Sequence, residues 1–352
     1  MADVGARGRT VPGRAGWVLD ALRRTVAEAG PAVTSGVRLL RSAVNRGLRW
    51  SRNGAGGARE DSAATQGVSA ASLSTDPRAL SVAAGTLAAG AAAAGVSRPR
   101  LYRDERSVVA MLRGYDAVTL AVGVPVLAGA VRAASRGSPG GQLVLGGVLA
   151  YLVYAYAVFV FGTAFNPVFL AHVAIFGLSL AALVQLLRRL DVSAIGRLMR
   201  PSTPVRPVAG VLGLLGATLG GMWTYYSLRF AWTGARPAES KLVLPLPAVR
   251  LGYVLDLLLV APEYVVAARL LWRRAPWGYV AATVLLTSGA LLQLQYMAAL
   301  LFQTAARVPG ATPVDPLEPF IALGMAGGAA TLLAGLRARS AGPSSTSQPT
   351  AA

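Results

Sequence analysis

The residues best placed to do chemistry lie in one apolar stretch, Leu251-Gly-Tyr-Val-Leu-Asp256-Leu-Leu-Leu-Val-Ala-Pro262-Glu263-Tyr264. Asp256 and Glu263 are seven residues apart, so on an α-helix they share a face, about 10 Å apart along the axis at 1.5 Å per residue. Glu263 falls near the centre of the apolar segment, where an ionised side chain costs on the order of 2.5–3.5 kcal/mol and normally faces a bundle interior or water. Pro262 frees a backbone carbonyl one turn earlier, a further polar point. Two readings stay open. The pair is a proton relay or cation site, or Glu263 is structural and pairs with an arginine or with polar groups on neighbouring helices. His172, the single histidine, lies in another apolar segment and is either a proton carrier or ligand, or a neutral hydrogen-bonding group between helices. Asp116 stands in the first turn of a third segment, where a negative charge suits the helix dipole, and reads mainly as a helix-start and interface residue. Gln293 and Gln295 point to different faces, so at least one meets another helix.

Other chemistries are absent. There is no Cys, which excludes thiol catalysis, disulfides and Cys metal sites. One His excludes a multi-His metal centre within the chain. No Walker loop, HExxH, GxSxG or paired-Asp motif occurs. The reading is therefore non-enzymatic, with no cofactor and no metal. Arg103-Asp104-Glu105-Arg106 is a self-paired, solvated loop cluster.

The elements that must position these residues are membrane helices. Between Arg136 and Arg188 lie 51 residues without Asp, Glu, Lys or Arg. A spanning helix needs about 20 apolar residues, so this run holds two, with Asn166-Pro167 as the turn. Eight spans are expected: between Arg78 and Arg98, between Arg113 and Arg132, 142–163, 167–187, 207–228, 251–272, within Arg274 to Arg307, and between Glu318 and Arg337. The fold class is thus all-α, a polytopic transmembrane helical bundle. Residues 1–77 form a basic, largely disordered tail with possible amphipathic helices, one with Trp17, Leu22 and Val26 on a face. Residues 78–337 form the transmembrane domain, and 338–352 a Ser/Pro-rich disordered tail. Gly216 and Gly220, and Gly324 and Gly328, have the spacing that lets helix backbones approach. Tyr151, Tyr154, Tyr156, Tyr225 and Tyr226 suit an interfacial aromatic belt. No internal repeat is evident.

The net charge of +19 would suggest nucleic acid in a soluble protein. Here the basic residues flank apolar segments, so the expected partners are the bilayer and anionic lipid headgroups, with a membrane-protein partner or a second copy as further possibilities, and no nucleic acid. With both termini cytoplasmic, the inner loops and tails carry 24 Lys and Arg and the outer loops 10, as the positive-inside rule requires. The localisation expected is the cell membrane. Arg, Ala and Gly richness, with Lys241 the only Lys, suggests a high-GC bacterial genome.

Three segments together, Leu112-Arg-Gly-Tyr-Asp116-Ala-Val-Thr-Leu120, Tyr154-Ala-Tyr-Ala-Val-Phe-Val-Phe-Gly-Thr-Ala-Phe-Asn166-Pro-Val-Phe-Leu170 and Leu271-Trp-Arg-Arg-Ala-Pro-Trp-Gly-Tyr279, resemble a group of bacterial multi-pass membrane proteins to which no activity is assigned. The resemblance covers roughly 100–305. It implies a membrane bundle and carries over no substrate and no site residue. The Arg-rich tail and the Ala/Gly-rich first segment depart from the pattern. The first functional expectation is a protein of interaction, sensing or support. The alternative is a small-solute or ion transporter using Glu263 and Asp256, with His172.

Overall fold

The structure is a computed structural model and describes residues 76–98, 100–235 and 241–337. The expected tails, with their amphipathic patterns, lie outside the described residues, save Asp76 and Pro77, which already cap and start the first helix. The described residues are helical, without a strand. In chain order the helices are α1 (Pro77–Ser97), α2 (Arg106–Ser135), α3 (Pro139–Phe161), α4 (Phe169–Arg189), the short α5 (Val192–Leu198), α6 (Val205–Thr233), α7 (246–272), α8 (Pro276–Ala305) and α9 (Glu318–Ala334).

Six of them, α1, α2, α3, α4, α6 and α8, are long and apolar enough to cross a bilayer. The other two expected spans are also helices. α7 carries Arg250, Asp256, Glu263 and Arg269, and α9 has only 17 residues.

Local chemistry sets the helix ends. Pro77 and Pro139 occupy first-turn positions, where a missing N–H costs nothing. The side chains of Asp76 and Ser138 accept from the N–H groups of Arg78 at 3.0 Å and Gly141 at 3.1 Å, satisfying donors that a helix start leaves free. Asn166 makes the expected turn between α3 and α4: its Oδ1 accepts from Val168 N at 3.1 Å, and its amide donates to the Ala164 carbonyl at 3.2 Å.

α2 and α7 are each interrupted by one π-helical turn, at Thr119–Gly123 and Asp256–Val260. Each turn precedes a proline by two residues, Pro125 and Pro262. A proline inside a helix has no N–H to give and its ring presses on the carbonyl four residues back. Widening the ladder relieves both. Val124 N then bonds Thr119 O, and Ala261 N bonds Asp256 O, five residues back.

The helices form two apolar cores. The first gathers α1–α4 around Tyr151, Tyr156 and Phe159; the second gathers α6–α9 around Leu212, Tyr264, Leu271 and Leu286. α8 packs along both α2 and α3 and joins them. Where α2 crosses α8, a Cβ on Gly114 would stand 2.8 Å from the backbone of Ala299, so only glycine permits that approach. The Gly216/Gly220 pair does bring α6 onto α7: Cβ atoms there would lie 2.9 Å from Tyr264 Cβ and 3.3 Å from Ala261 Cβ. The second glycine pair does so at one position only. Gly328 faces Leu286 and Val208, while Gly324 faces open space.

The C-terminal ends of α1, α3, α6 and α8 and the N-terminal ends of α2, α4, α7 and α9 lie at one end of the bundle, here the upper end. The links at 136–138, 190–204 and 273–275, and residues 335–337, lie at the lower end. The lower end is laced by backbone: Arg200 N donates to Gly335 O at 2.9 Å and Arg337 N to Leu198 O at 3.0 Å.

Candidate functional site

Two aspartates are held inside the bundle, one in each core. Asp116 of α2 is completely buried. Tyr102, in the link before α2, donates its hydroxyl to Asp116 Oδ2 at 2.5 Å. Burial, and then the neighbouring Asp116, push the Tyr102 hydroxyl far above its usual pKa, so it remains a donor. Gly95 of α1 makes the room, since a Cβ there would overlap the Asp116 carboxylate. Asp116 Oδ1 has no protein partner. Arg113, one turn earlier, turns away: its Nη2 donates to the Val96 carbonyl at 3.0 Å, and its guanidinium lies 5.9 Å from the Phe302 ring centroid.

His172 of α4 lies beside this pair. It is completely buried, with ring centroids 4.7 Å from Phe159, 5.6 Å from Tyr156 and 6.4 Å from Tyr102. Neither ring nitrogen has a protein partner, nor has the Tyr156 hydroxyl. Buried polar atoms are rarely left this way. Four of them within one aromatic neighbourhood have the character of a site for ordered water or a small polar solute.

Asp256 is the first residue of the α7 π-turn and is half-buried. Tyr154 of α3 donates to its Oδ1 at 2.8 Å, and Trp223 Nε1 of α6 donates to its Oδ2 at 2.9 Å. Tyr253, one turn before, packs against Trp223 with ring centroids 4.2 Å apart. One carboxylate thus ties three helices together through neutral donors. The first residue of the other π-turn is bonded in the same way: Thr119 Oγ1 and Tyr151 OH are 2.8 Å apart.

The structure separates the two carboxylates expected to share a face. A π-turn adds a residue to the ladder, which turns everything beyond it by about 100° at 3.6 residues per turn. Asp256 therefore faces Trp223 and Tyr154, while Glu263 lies exposed on the outside of α7. His172 is remote from that helix and belongs with Asp116, Tyr102 and Tyr156. Among the described residues no three acidic or His side chains are grouped to hold a metal ion.

Several site residues carried no sequence signal of their own. Tyr151, Tyr154 and Tyr156 were expected in an interfacial belt but point into the bundle, two of them onto the π-turns; of the belt residues, Tyr225 is exposed. Asp116 is a buried acceptor rather than a helix-start residue, and α2 begins ten residues before it. Tyr102 and Trp223 could be found only from their partners. Gln293 does meet another helix, through Glu318 of α9. Asp104, in the charged loop, accepts from Ala164 N at 2.7 Å and ties two upper links together.

No protein-family model, no curated protein and no solved structure matches this chain.

Proposed function

We propose that the chain is an eight-span protein of the cell membrane, with its lower end and both termini in the cytoplasm, anionic headgroups against its basic loops, and a proton-coupled transport activity. Asp256 is the coupling carboxyl group, and the Asp116–His172 cluster is a second proton-holding point. Six helices long and apolar enough to span, the shorter apolar α9, and 24 Lys and Arg on the cytoplasmic side of this arrangement, tails and helix ends included, against 10 on the other side support the topology.

One observation carries the transport reading: Asp256, mid-way along its helix, is held by a hydroxyl and an indole rather than by a cation. A carboxylate at that depth is expensive. A structural role would call for an arginine or lysine against it. Neutral donors instead leave it free to exchange a proton while keeping its place, and its partial exposure leaves a path by which a proton arrives. This favours transport over a role in support or interaction, which gives no reason for the carboxyl group. Glu263, on the outer face, is left out of the relay.

The test is proton entry into liposomes that enclose a pH-sensitive dye, driven by a potassium diffusion potential. Wild-type protein passes protons above the level of empty liposomes. Asp256→Asn lowers that flux at least tenfold while keeping the same melting temperature. Wild-type flux equal to that of empty liposomes overturns the reading and returns the protein to the support and interaction class.

A further inference from the structure

The two cores repeat one unit. Displacing α2 and the start of α3 by 137 residues lays them on α7 and the start of α8. The π-turn Thr119–Gly123 falls on Asp256–Val260, and Pro125 on Pro262. Arg113, Arg132, Arg136, Pro139 and Gly141 fall on Arg250, Arg269, Arg273, Pro276 and Gly278. The turns between the helices close with the same two hydrogen bonds. Gly137 and Arg274 both have positive φ, at 77° and 54°. Gly137 N donates to Ala134 O at 3.0 Å and Ser138 N to Ala133 O at 3.1 Å; Arg274 N donates to Leu271 O at 2.9 Å and Ala275 N to Leu270 O at 3.0 Å. A Cβ on Gly141 would strike Ala133 and Ala134, and one on Gly278 would strike Leu270 and Leu271.

The outer helices follow. Gly85 of α1 meets Leu127 as Gly216 of α6 meets Tyr264. The buried face of α4, His172, Ile175, Ser179 and Ala182, returns 150 residues later in α9 as Ala322, Met325, Ala329 and Leu332. Each unit has four helices, so the chain returns to the side it started from and the two units run parallel. This is a known plan for transporters built of repeats about an axis along the membrane normal.

The units differ in one respect. The first is a closed ring, with α1 packed along α4. In the second, α6 meets α9 at few positions, Gly328 against Val208 among them, and Gly324, one turn nearer the upper end, meets nothing within 4 Å. Leu228, Phe230 and Phe320 are exposed there. Inside that unit, on the same faces as the buried Gly289 and Met325 but one or two turns nearer the upper end, lie Gln293 and Glu318, bonded to each other. Gln293 stands where Tyr156, the neighbour of His172, stands in the first unit.

We propose that the gap between α6 and α9 is the upper entrance to Gln293 and Glu318, open to a proton or small cation, and that it closes in a second state of the protein as α1 and α4 close the first unit. The first unit is the template for the closed state: the same chain path, with helices about 8–10 Å apart when packed. Closure does not depend on Asp256 carrying protons. Only its link to flux rests on the transport reading.

The chain lacks cysteine, so spin labels can be placed at will. The full-length protein in liposomes would carry labels at Leu228→Cys and Phe320→Cys. A reference sample would carry Ser97→Cys and Leu170→Cys, the corresponding ends of α1 and α4, and pulsed dipolar spectroscopy would read the distances. The reference pair gives one short distance. The α6–α9 pair gives a longer distance and a second component that coincides with the reference, growing when an inward proton gradient is imposed. A single long distance for the α6–α9 pair at pH 5.5 and at pH 8, with and without the gradient, overturns closure. Labels at Ser227→Cys and Leu317→Cys provide an independent pair should the first disturb folding. Closure without proton flux would keep the gate and remove the coupling.

Discussion

Removing the same atom from two tyrosines should have opposite effects. The Tyr102 hydroxyl donates to a completely buried carboxyl group at 2.5 Å, and Asp116 has no other protein partner. Tyr102→Phe therefore leaves Asp116 without any donor from the protein. Leaving one buried partner unsatisfied costs about 1–3 kcal/mol, and more when that partner is charged. The expected loss is about 2–3 kcal/mol. The Tyr156 hydroxyl is equally buried and bonds nothing in the protein. Tyr156→Phe removes a polar group that no protein atom compensates, so stability stays level or rises by about 1 kcal/mol. Both rings keep their contacts with Phe159 and His172, so packing changes little. With a shift of about 2–4 °C per kcal/mol, the midpoint of thermal unfolding in detergent falls by about 4–12 °C for Tyr102→Phe and stays level or rises for Tyr156→Phe. The double variant separates direct bonding from any coupling through His172. A Tyr156→Phe loss as large as that of Tyr102→Phe would refute the assignment of donors in this core.

Gly114→Ala drives a Cβ into the Ala299 backbone and should cost about 1–3 kcal/mol. Gly129→Ala on the same helix meets nothing within 4 Å and should be neutral or stabilising by about 0.5–1 kcal/mol, which thermal unfolding compares directly. Gln303 is completely buried and joins three backbone groups, accepting from Val243 N and donating to the carbonyls of Val243 and Ser107. Gln303→Leu should lower stability by about 3 kcal/mol and speed hydrogen exchange at Val243 N. Glu263→Leu replaces an exposed acid on an apolar helix face, so membrane insertion should improve by on the order of 2–3 kcal/mol, with proton flux unchanged. A loss of flux would bring Glu263 back into the relay.

Much of the architecture was legible in the sequence because a long uncharged, apolar run has few ways to satisfy its backbone other than a helix. Among the described residues the long uncharged runs are helical, and Asn166-Pro167 became the turn it promised. The site was less legible. Equal spacing of Asp256 and Glu263 predicted a shared face on an ideal helix, and the π-turn between them removed it. Pro262 was the available clue, read as a freed carbonyl rather than as a change of ladder. His172 was picked out by residue type. Its neighbours Tyr102 and Tyr156 could not be, because their meeting depends on how the link 98–105 folds back over α2. Tyrosines in apolar segments suit both an interface and an interior, and composition cannot choose between them.

The repeat escaped the sequence for a related reason. Buried and half-buried apolar positions ask mainly for volume and greasiness, so Ala133 and Leu270, or Leu127 and Tyr264, drift without changing the backbone. What holds the register is the set of residues whose backbone role nothing else fills. Pro125 and Pro262 force the ladder to widen, and Gly141 and Gly278 sit where any Cβ would collide. The π-turns then do the same work twice. Each aims its first side chain, Thr119 or Asp256, at a tyrosine of α3, and the two tyrosines, Tyr151 and Tyr154, are three residues apart on that one helix. α3 is thus bonded to both π-turns, and Tyr154–Asp256 is a side-chain bond that carries the first unit's helix onto the second unit's. The duplicated position has kept its geometry and changed its chemistry, from a hydroxyl in the closed unit to a carboxyl in the parted one. At this duplicated position the ionisable group lies in the unit with the opening, as the proposed coupling role requires.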